Sequence, residues 1–185
     1  TTASGGVIAT QGGTFSNSLS GVTNVGTLNV VNNSGLILDG TLTNNGAINV
    51  QSAGNFTDLR ILGNVTLGGT GITTLSNTTA NRILANSSGD TLTIGTGQTV
   101  QGSGQFGNGS GMSIVNQGTI TANQSNALNV LVGAGFTVQN LVGGTMQATS
   151  GVLNLGNVIA NAGTITANGG VVNANAGFNG TGTAS

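Results

Sequence analysis

The sequence of 185 residues contains no cysteine, proline, histidine, tryptophan or tyrosine, and it also lacks lysine and glutamate. Without cysteine the chain forms no disulfide, and without cysteine and histidine the usual ligands of structural zinc are missing. Only two basic side chains are present, so there is no basic stripe for a polyanion and no cationic face for a lipid surface. No apolar run approaches the roughly 20 residues of a membrane-spanning helix. The sequence therefore predicts neither nucleic-acid binding nor membrane insertion.

Charge is also too sparse for most enzymatic chemistry. The only carboxylates are Asp39, Asp58 and Asp90. Hydrolysis or elimination on a polysaccharide needs paired carboxylates or a carboxylate with a basic partner. Asp39 and Asp58 are spaced so that they could lie on neighbouring turns of a repeat, but no histidine, lysine or glutamate is available to assist them. We predict no catalytic site, no cofactor and no metal, since a calcium-binding nonapeptide repeat would need an aspartate in every turn.

What the sequence does contain is a repeated unit of an apolar residue, a spacer, Asn, a spacer, Gly, a small residue and an apolar residue. It occurs at 22–28, 42–48, 114–120 and 159–165. In each copy the apolar, Asn and Gly positions share one parity, which is the alternation of a strand with one buried face. The apolar residues that we align after the glycines are Leu28, Ile48, Ile72, Leu92, Ile120, Met146 and Ile165. One unit is therefore about 20 residues long.

A period near 20 residues made of short strands predicts a parallel β-solenoid, in which each turn buries its apolar face only against its neighbours. The glycine and β-branched content excludes a helical repeat. A sandwich or barrel built from hairpins remains an alternative, because Asn45-Gly46 is a hairpin-type turn signal. We predict about eight turns, with an interior that includes Leu28, Val30, Leu42, Ile48, Val50, Ile114, Ile120, Ile159 and Ile165.

The recurring polar positions predict a structural role. Equivalent asparagines at the strand spacing can bond to one another in a ladder. Glycine two residues later suits a corner at which the backbone adopts a positive φ. We predict one ladder at one corner, formed by Asn24, Asn44, Asn116 and Asn161, with corner glycines Gly26, Gly46, Gly118 and Gly163.

The regular pattern divides the chain into three parts. Residues 1–14 are an entry segment or a first partial turn, 15–176 form the solenoid, and 177–185 are a polar tail. Within the solenoid, 51–111 is less regular and predicts loops that protrude from the corners. This stretch holds Asp58, Arg60 and Arg82, with the two arginines about one turn apart. We predict a small exposed ion-pair cluster, worth under roughly 1 kcal/mol per pair.

The runs 145–148, 151–155 and 161–167 resemble the repeats of filamentous-haemagglutinin-type adhesins and autotransporter passengers. The resemblance covers most of residues 15–174. It implies a right-handed parallel β-helix displayed outside a bacterial cell, acting in adhesion or as a rigid stalk, with surface glycans or host receptors as partners. Nothing like the secretion-domain signature of the two-partner family is present, and the charge content is low even for these repeats.

Two other functions stay open. Threonines flank an inward apolar residue in several strands, which resembles the flat threonine arrays of ice-binding solenoids. The outward pairs, however, read Thr27/Asn29, Ala47/Asn49, Thr119/Thr121, Thr145/Gln147 and Thr164/Thr166, which is less uniform than a lattice-matched face. The minor alternative is a β-helix that binds or cleaves a polysaccharide.

The ends of the solenoid lack the features that cap such folds. No charged segment, amphipathic helix or proline is found near Val7-Ile8-Ala9 or near Val171-Val172, although unpaired terminal turns need such protection. A net charge of −1 provides little repulsion between copies. We therefore expect either a piece of a longer β-helix or copies that stack end to end into a filament.

Overall fold

The computed structural model describes residues 2–185, which form an all-β structure without helices. Alternating apolar and polar residues place one side of nearly every strand inside. The strands are β1 (Val7–Ala9), β2 (Asn17–Ser20), β3 (Thr23–Asn24), β4 (Thr27–Val31), β5 (Gly35–Asn44), β6 (Ala47–Gln51), β7 (Thr57–Gly68), β8 (Ile72–Leu75), β9 (Asn81–Ala85), β10 (Asp90–Ile94), β11 (Thr99–Gly102), β12 (Gly104–Ser110), β13 (Met112–Asn116), β14 (Thr119–Ala122), β15 (Leu128–Val132), β16 (Val138–Asn140), β17 (Thr145–Ala148), β18 (Val152–Leu155), β19 (Ile159–Asn161), β20 (Thr164–Ala167), β21 (Val171–Ala174), β22 (Phe178–Asn179) and β23 (Thr183–Ala184).

The strands form three parallel stacks, and each full turn contributes one strand to each stack. Stack A is a nine-stranded sheet in the order β1-β4-β6-β8-β11-β14-β17-β20-β23. Stack B runs β2-β5-β7-β9-β12-β15-β18-β21, and stack C runs β3-β5-β7-β10-β13-β16-β19-β22. The long strands β5 and β7 belong to both B and C and join them into one sheet. This is the predicted parallel β-solenoid of about eight turns, although successive turns are about 23 residues apart and not 20.

The core is a continuous apolar column along the axis. All nine residues predicted to lie inside are buried, and the largest exposed fraction among them is 3%. In stack A, Leu28 pairs with Ile48, and Val100 pairs with Ile120. The prediction of the interior from strand parity is therefore confirmed for these residues. Each such side chain is covered by its equivalents on both adjacent turns, which is how a solenoid buries apolar surface.

Two residues of the predicted alignment take other places. Ile48 pairs with Thr73 and not with Ile72, so Ile72 points outward and is 43% exposed. Leu92 lies in stack C and not in stack A. For Ile72 the reason is local. Gly71 occupies the corner, as its contacts with Gly46 indicate, and the residue that points inward is the second one after the corner glycine, which is Thr73.

A slip in register separates the first turns from the rest. Asp39 pairs with Leu62, but Thr41 pairs with Thr66, so β7 inserts two extra residues there. Because two residues are one full strand period, the inward and outward faces keep their parity. The residues that pair on stack C nevertheless shift by two positions along β7. Leu42, which lies two residues before Asn44, therefore pairs with Leu67.

Both ends contain strands. The segment 177–185, predicted to be a polar tail, contains β22 and β23, which pair with β19 and β20. The entry segment contains β1, which pairs with β4. Interior positions of these outermost strands are partly open: Ile8 is 50% and Phe178 48% exposed. No helix among the described residues is long and apolar enough to cross a membrane.

Candidate functional site

The predicted asparagines lie at the corner between stack C and stack A, but they form two ladders and not one. In the first, the Asn24 Nδ2 donates to the Asn44 Oδ1 at 2.7 Å, and the Thr2 hydroxyl donates to the Asn24 Oδ1 at 2.6 Å. The second contains Asn116 and Asn161. The register slip between β5 and β7 and the absence of asparagine from the intervening turns separate the two ladders.

The second ladder includes Asn140, which was not among the predicted asparagines. The Asn116 Nδ2 donates to the Asn140 Oδ1, and the Asn140 Nδ2 donates to the Asn161 Oδ1, each at 2.8 Å. Each of these three amides also donates to a backbone carbonyl of the next turn at 3.1 Å. Asn140 escaped notice because its corner glycine, Gly144, follows four residues later and not two.

Gln98 extends the first ladder into the gap between the two ladders. This residue occupies the place of the corner glycine in its turn and is almost fully buried. Its Nε2 donates to the Asn44 backbone carbonyl at 2.7 Å, and its Oε1 accepts from the Asn44 Nδ2 at 3.4 Å. The longer glutamine side chain thus reaches across the turn whose corner reads Gly69-Thr70-Gly71. On the far side of the gap, the buried Asn116 Oδ1 has no donor, because Ile94 is its neighbour on the preceding turn.

The corner glycines are required for a different reason from the one predicted. None of Gly26, Gly46, Gly118 and Gly163 is among the residues with positive φ, so that explanation is wrong. A Cβ atom on any of them would collide with a backbone carbonyl oxygen of the preceding turn. Glycine is needed because successive turns approach closely at this corner. The backbone amide of the residue after each glycine donates to the carbonyl oxygen of the corner residue on the preceding turn.

The cluster of Asp58, Arg60 and Arg82 forms, but its carboxylate is not exposed. Asp58 is paired with Arg82 in register, and its side chain is 0% exposed. The Arg82 Nε and Nη2 donate to the two carboxylate oxygens at 2.7 and 2.9 Å. Arg60 donates twice to the Asp58 Oδ2, at 3.1 and 2.9 Å. The prediction of a solvated cluster is therefore wrong for the aspartate.

Aromatic rings explain this burial. The Arg82 guanidinium lies 3.9 Å from the centroid of the Phe56 ring, and the Arg60 guanidinium lies 5.8 Å from the Phe15 ring. Both phenylalanines come from segments outside the strands, so the cluster pins two loops against the outer surface of stack B. All the Asp58 oxygens are bonded to arginine, which leaves the carboxylate no proton-transfer role toward a substrate.

The other carboxylates stand apart from Asp58. Asp39 is exposed and pairs with Leu62, whereas Asp58 pairs with Gly35, so the two aspartates are not neighbours on adjacent turns. Asp90 is buried and accepts from the backbone amides of Gly63 and Ser87, each at 2.7 Å. Within residues 2–185, no group of three or more His, Cys, Asp or Glu side chains could hold a metal ion.

The outward surface of stack A carries a longer threonine row than the sequence alignment indicated. The row contains threonine on five consecutive turns. It begins with Thr99, which pairs with Thr119 on the next turn. The first and last members are not apparent from the sequence alignment. The five are Thr99, Thr119, Thr145, Thr164 and Thr183. The neighbouring row is mixed: Gln147 donates to the Thr121 hydroxyl at 3.1 Å and covers it.

An outward column of polar side chains also follows stack B. Its members are register partners on six successive turns: Asp58, Arg82, Gln105, Asn129, Asn154 and Asn173. At its far end the Asn154 Nδ2 donates to the Asn129 Oδ1 at 2.7 Å, and the Asn173 Nδ2 to the Asn154 Oδ1 at 2.8 Å. This column is not apparent from the sequence, because its members are spread over turns of unequal length.

The chain matches no known family model, and no curated protein or solved structure is significantly similar to it. The adhesin-type resemblance of the repeats therefore rests on the residue pattern alone, and the architecture is compatible with many functions.

Proposed function

We propose that the chain is a non-catalytic structural and adhesive β-solenoid, a rigid rod on the outside of a bacterial cell. The observation that carries the proposal is the continuity of bonding along the axis. Backbone pairing in all three stacks, one apolar core and the amide ladders run from turn to turn. Such a chain resists bending because any bend would separate paired strands and uncover the core.

The absence of an organised charged site among the described residues supports a non-catalytic role. Asp58 is held by two arginines, and Asp90 by two backbone amides. Asp39 alone faces solvent, and a single isolated carboxylate does not provide the acid and base of glycoside hydrolysis. An outward display of neutral hydroxyl and amide groups suits binding to surfaces better than bond cleavage.

Rigidity can be measured directly because the chain has no cysteine. Val7 and Thr183 both lie in the outward row of stack A, at its two ends. With spin labels on Val7→Cys and Thr183→Cys, we expect one narrow distance distribution centred on roughly 38 Å, the sum of eight strand spacings. A broad distribution like that of an unfolded linker would contradict the rod. Release of reducing ends from a polysaccharide that is lost in Asp39→Asn would contradict the non-catalytic role.

The partners we propose for the ends are further turns, either from a flanking part of a longer chain or from a second copy. The exposed interior residues Ile8 and Phe178 lie beside unpaired strand edges, and all five charged side chains of the sequence fall between residues 39 and 90. Light scattering of the 185-residue protein should show a mass that rises with concentration. Phe178→Lys should reduce this rise by placing a charge against the docking turn, whereas Val142→Lys, at an exposed side chain on the side of the rod, serves as the control. A wild-type monomer at all concentrations would exclude the second copy.

A second candidate function, ice binding, is favoured by the threonine row at Thr99, Thr119, Thr145, Thr164 and Thr183. Five hydroxyl and methyl groups repeat there at the strand spacing of roughly 4.8 Å. The measurement is thermal hysteresis of the purified protein. If the row binds ice, Thr145→Gln should remove most of the activity, and Ala47→Gln, in the same row but outside the threonine run, should not. No hysteresis in the wild type would exclude this function.

A further inference from the structure

A shallow groove lies on the outer surface of stack B, beside the polar column. Its volume is about 300 Å³, and its lining residues are Thr79, Gln105, Asn108, Asn129 and Leu131. None of them carries a charge. The groove therefore combines four polar side chains with one apolar side chain, which is a more polar lining than the mostly apolar wall of an ordinary small-molecule pocket.

The sequence creates this groove with a bulge in β12. The pairing of β12 with β15 is regular up to Phe106–Val130 and resumes at Ser110–Val132. The residues between, Gly107, Asn108 and Gly109, all have positive φ. A bulge of this kind redirects side chains at the edge of a site, and here it holds Asn108 at a positive φ, a conformation that asparagine adopts more readily than most other non-glycine residues.

Glycines on both sides keep the groove open and position its apolar wall. Leu131 is 44% exposed although it is a large apolar residue. The bulge around Gly107 lies opposite Leu131, and a Cβ on Gly107 would collide with the Leu131 carbonyl oxygen. On the next turn, a Cβ on Gly156 would lie 2.7 Å from the Leu131 Cδ1. Leu131 therefore leans over a glycine and presents its remaining surface to solvent.

The polar wall is ordered but keeps hydrogen-bonding capacity. The Gln105 Nε2 donates to the Thr79 carbonyl at 3.0 Å, and the Asn129 Nδ2 donates to the Gly104 carbonyl at 3.3 Å. Each amide nitrogen has a second hydrogen, and the Gln105 Oε1 is an additional acceptor. Within residues 2–185, the Asn108 side chain has no hydrogen-bond partner and is exposed. The groove thus offers donors and acceptors in pairs, held in place by the protein.

We propose that this groove binds one unit of a neutral, polyhydroxylated chain, a linear oligosaccharide that lies along the rod axis. Amides can pair with adjacent hydroxyls as donor and acceptor at once, and Leu131 offers an apolar surface to the C–H face of a sugar ring. The polar column continues through Asn154 and Asn173. An asparagine side-chain amide therefore recurs on successive turns along the axis, where it can meet further sugar units of the same chain. The nearest cation in the column, Arg82, is bonded to Asp58 and does not line the groove.

Other classes of ligand fit less well. An extended peptide would need an unpaired strand edge, and β12 is paired on both sides, with β9 and β15. An anionic polymer would need basic side chains that the groove lacks. The proposal deepens the adhesive part of the proposed function, on which it rests, and is independent of the structural part: a rod without this ligand would still be a rod, and a bound glycan would not by itself make the chain rigid.

The experiment is a titration of the ¹⁵N-labelled protein, followed through the side-chain amide resonances of Gln105, Asn108 and Asn129. The probes are a β-1,4-glucan, a β-1,4-mannan and an α-1,4-glucan hexasaccharide, all neutral, and an oligogalacturonate of the same length as the charged comparison. We expect at least one neutral hexasaccharide to shift these resonances saturably, and to bind at least fivefold more tightly than the oligogalacturonate.

The matched variants use the two asparagines with positive φ, at 59° for Asn33 and 51° for Asn108. Asn108→Gly keeps the backbone conformation and removes the groove amide, so we expect the Kd to rise at least fivefold. Asn33→Gly relieves the same strain away from the groove and should leave the Kd unchanged. Three results would each overturn the proposal: no saturable shift with any neutral hexasaccharide, an unchanged Kd in Asn108→Gly, or equally tight binding of the oligogalacturonate.

Discussion

The regular part of the rod, 112–174, and its irregular middle, 51–111, are held together in different ways. In the regular part the same contacts recur: an inward apolar residue, a laddered asparagine and a close glycine corner on each turn. In the middle, contacts that occur only once take their place. Asp58 is clamped by two arginines, and Gln98 bonds to Asn44 two turns earlier.

A third such contact lies at the loops. The Asn77 side chain donates to the Ser125 hydroxyl at 2.7 Å and accepts from the Asn126 backbone amide at 3.0 Å, although these residues are two turns apart. The turn between them passes this corner tightly at Ser103. A solenoid can therefore lose its sequence repeat without losing its stacking, provided that specific side chains bridge the turns where the repeated contacts are missing.

The largest effect should come from a charge in the repeated core. Ile120→Asp places a carboxylate without a partner between Val100 and Met146, and we expect a loss of about 4 kcal/mol or more. Urea unfolding measures the loss. Ile72→Asp is the control: Ile72 points outward in the same sheet, so that variant should lose less than about 1 kcal/mol. Equal losses would show that the inward assignment of stack A is incorrect.

The next effect tests the irregular middle. Asp58→Asn removes the charge shared by Arg60 and Arg82 and leaves two guanidinium groups together, so we expect a loss of about 2 to 3 kcal/mol. Asp39→Asn, at an exposed carboxylate, should change the free energy of unfolding by under about 0.5 kcal/mol. If Asp58→Asn is as mild as this control, the cluster is not what holds the loops of Phe15 and Phe56.

The glycine corner predicts a smaller loss in the regular part. Gly163→Ala drives a methyl group against the Gly144 and Leu141 carbonyl oxygens, and overpacking of this kind costs about 1 to 3 kcal/mol. Gly68→Ala is the matched control, because a Cβ there meets nothing within 4 Å and its φ is not positive. Thermal unfolding of the two variants should differ clearly; similar melting temperatures would contradict the close approach of the turns.

The smallest effect should be a gain. Thr73 is buried among the apolar residues of stack A, and its hydroxyl has no hydrogen-bond partner. Thr73→Val keeps the shape and removes the unsatisfied group, so we expect stabilisation by about 1 kcal/mol. Thr74→Val, which removes an outward hydroxyl that accepts from Gln101, should give no gain. A loss in Thr73→Val would mean that a water molecule satisfies the hydroxyl.

Strand parity and the repeat were sufficient to predict the fold. Whether Leu28, Ile114 or Ile165 points inward depends on alternation along a few residues, and this is a local property of a β-strand. The same reasoning located the asparagine and glycine positions at one corner. It assigned the wrong cause to the glycines, because a close approach between turns leaves no mark on the residues of a single turn.

Only the tertiary structure decided the register between turns. The slip between β5 and β7 separates Asn44 from Asn116, and the unequal loops place Gln98 where it can bond to Asn44 two turns earlier. The same long-range pairing buries Asp58 and brings Gln105 beside Asn129 in the groove. The sequence by itself determined which way most strands face, because alternation is local; β8 is the exception, since Ile72 points outward and Thr73 inward. The tertiary structure decided which residues meet, because that depends on how many residues each turn spends on its loops.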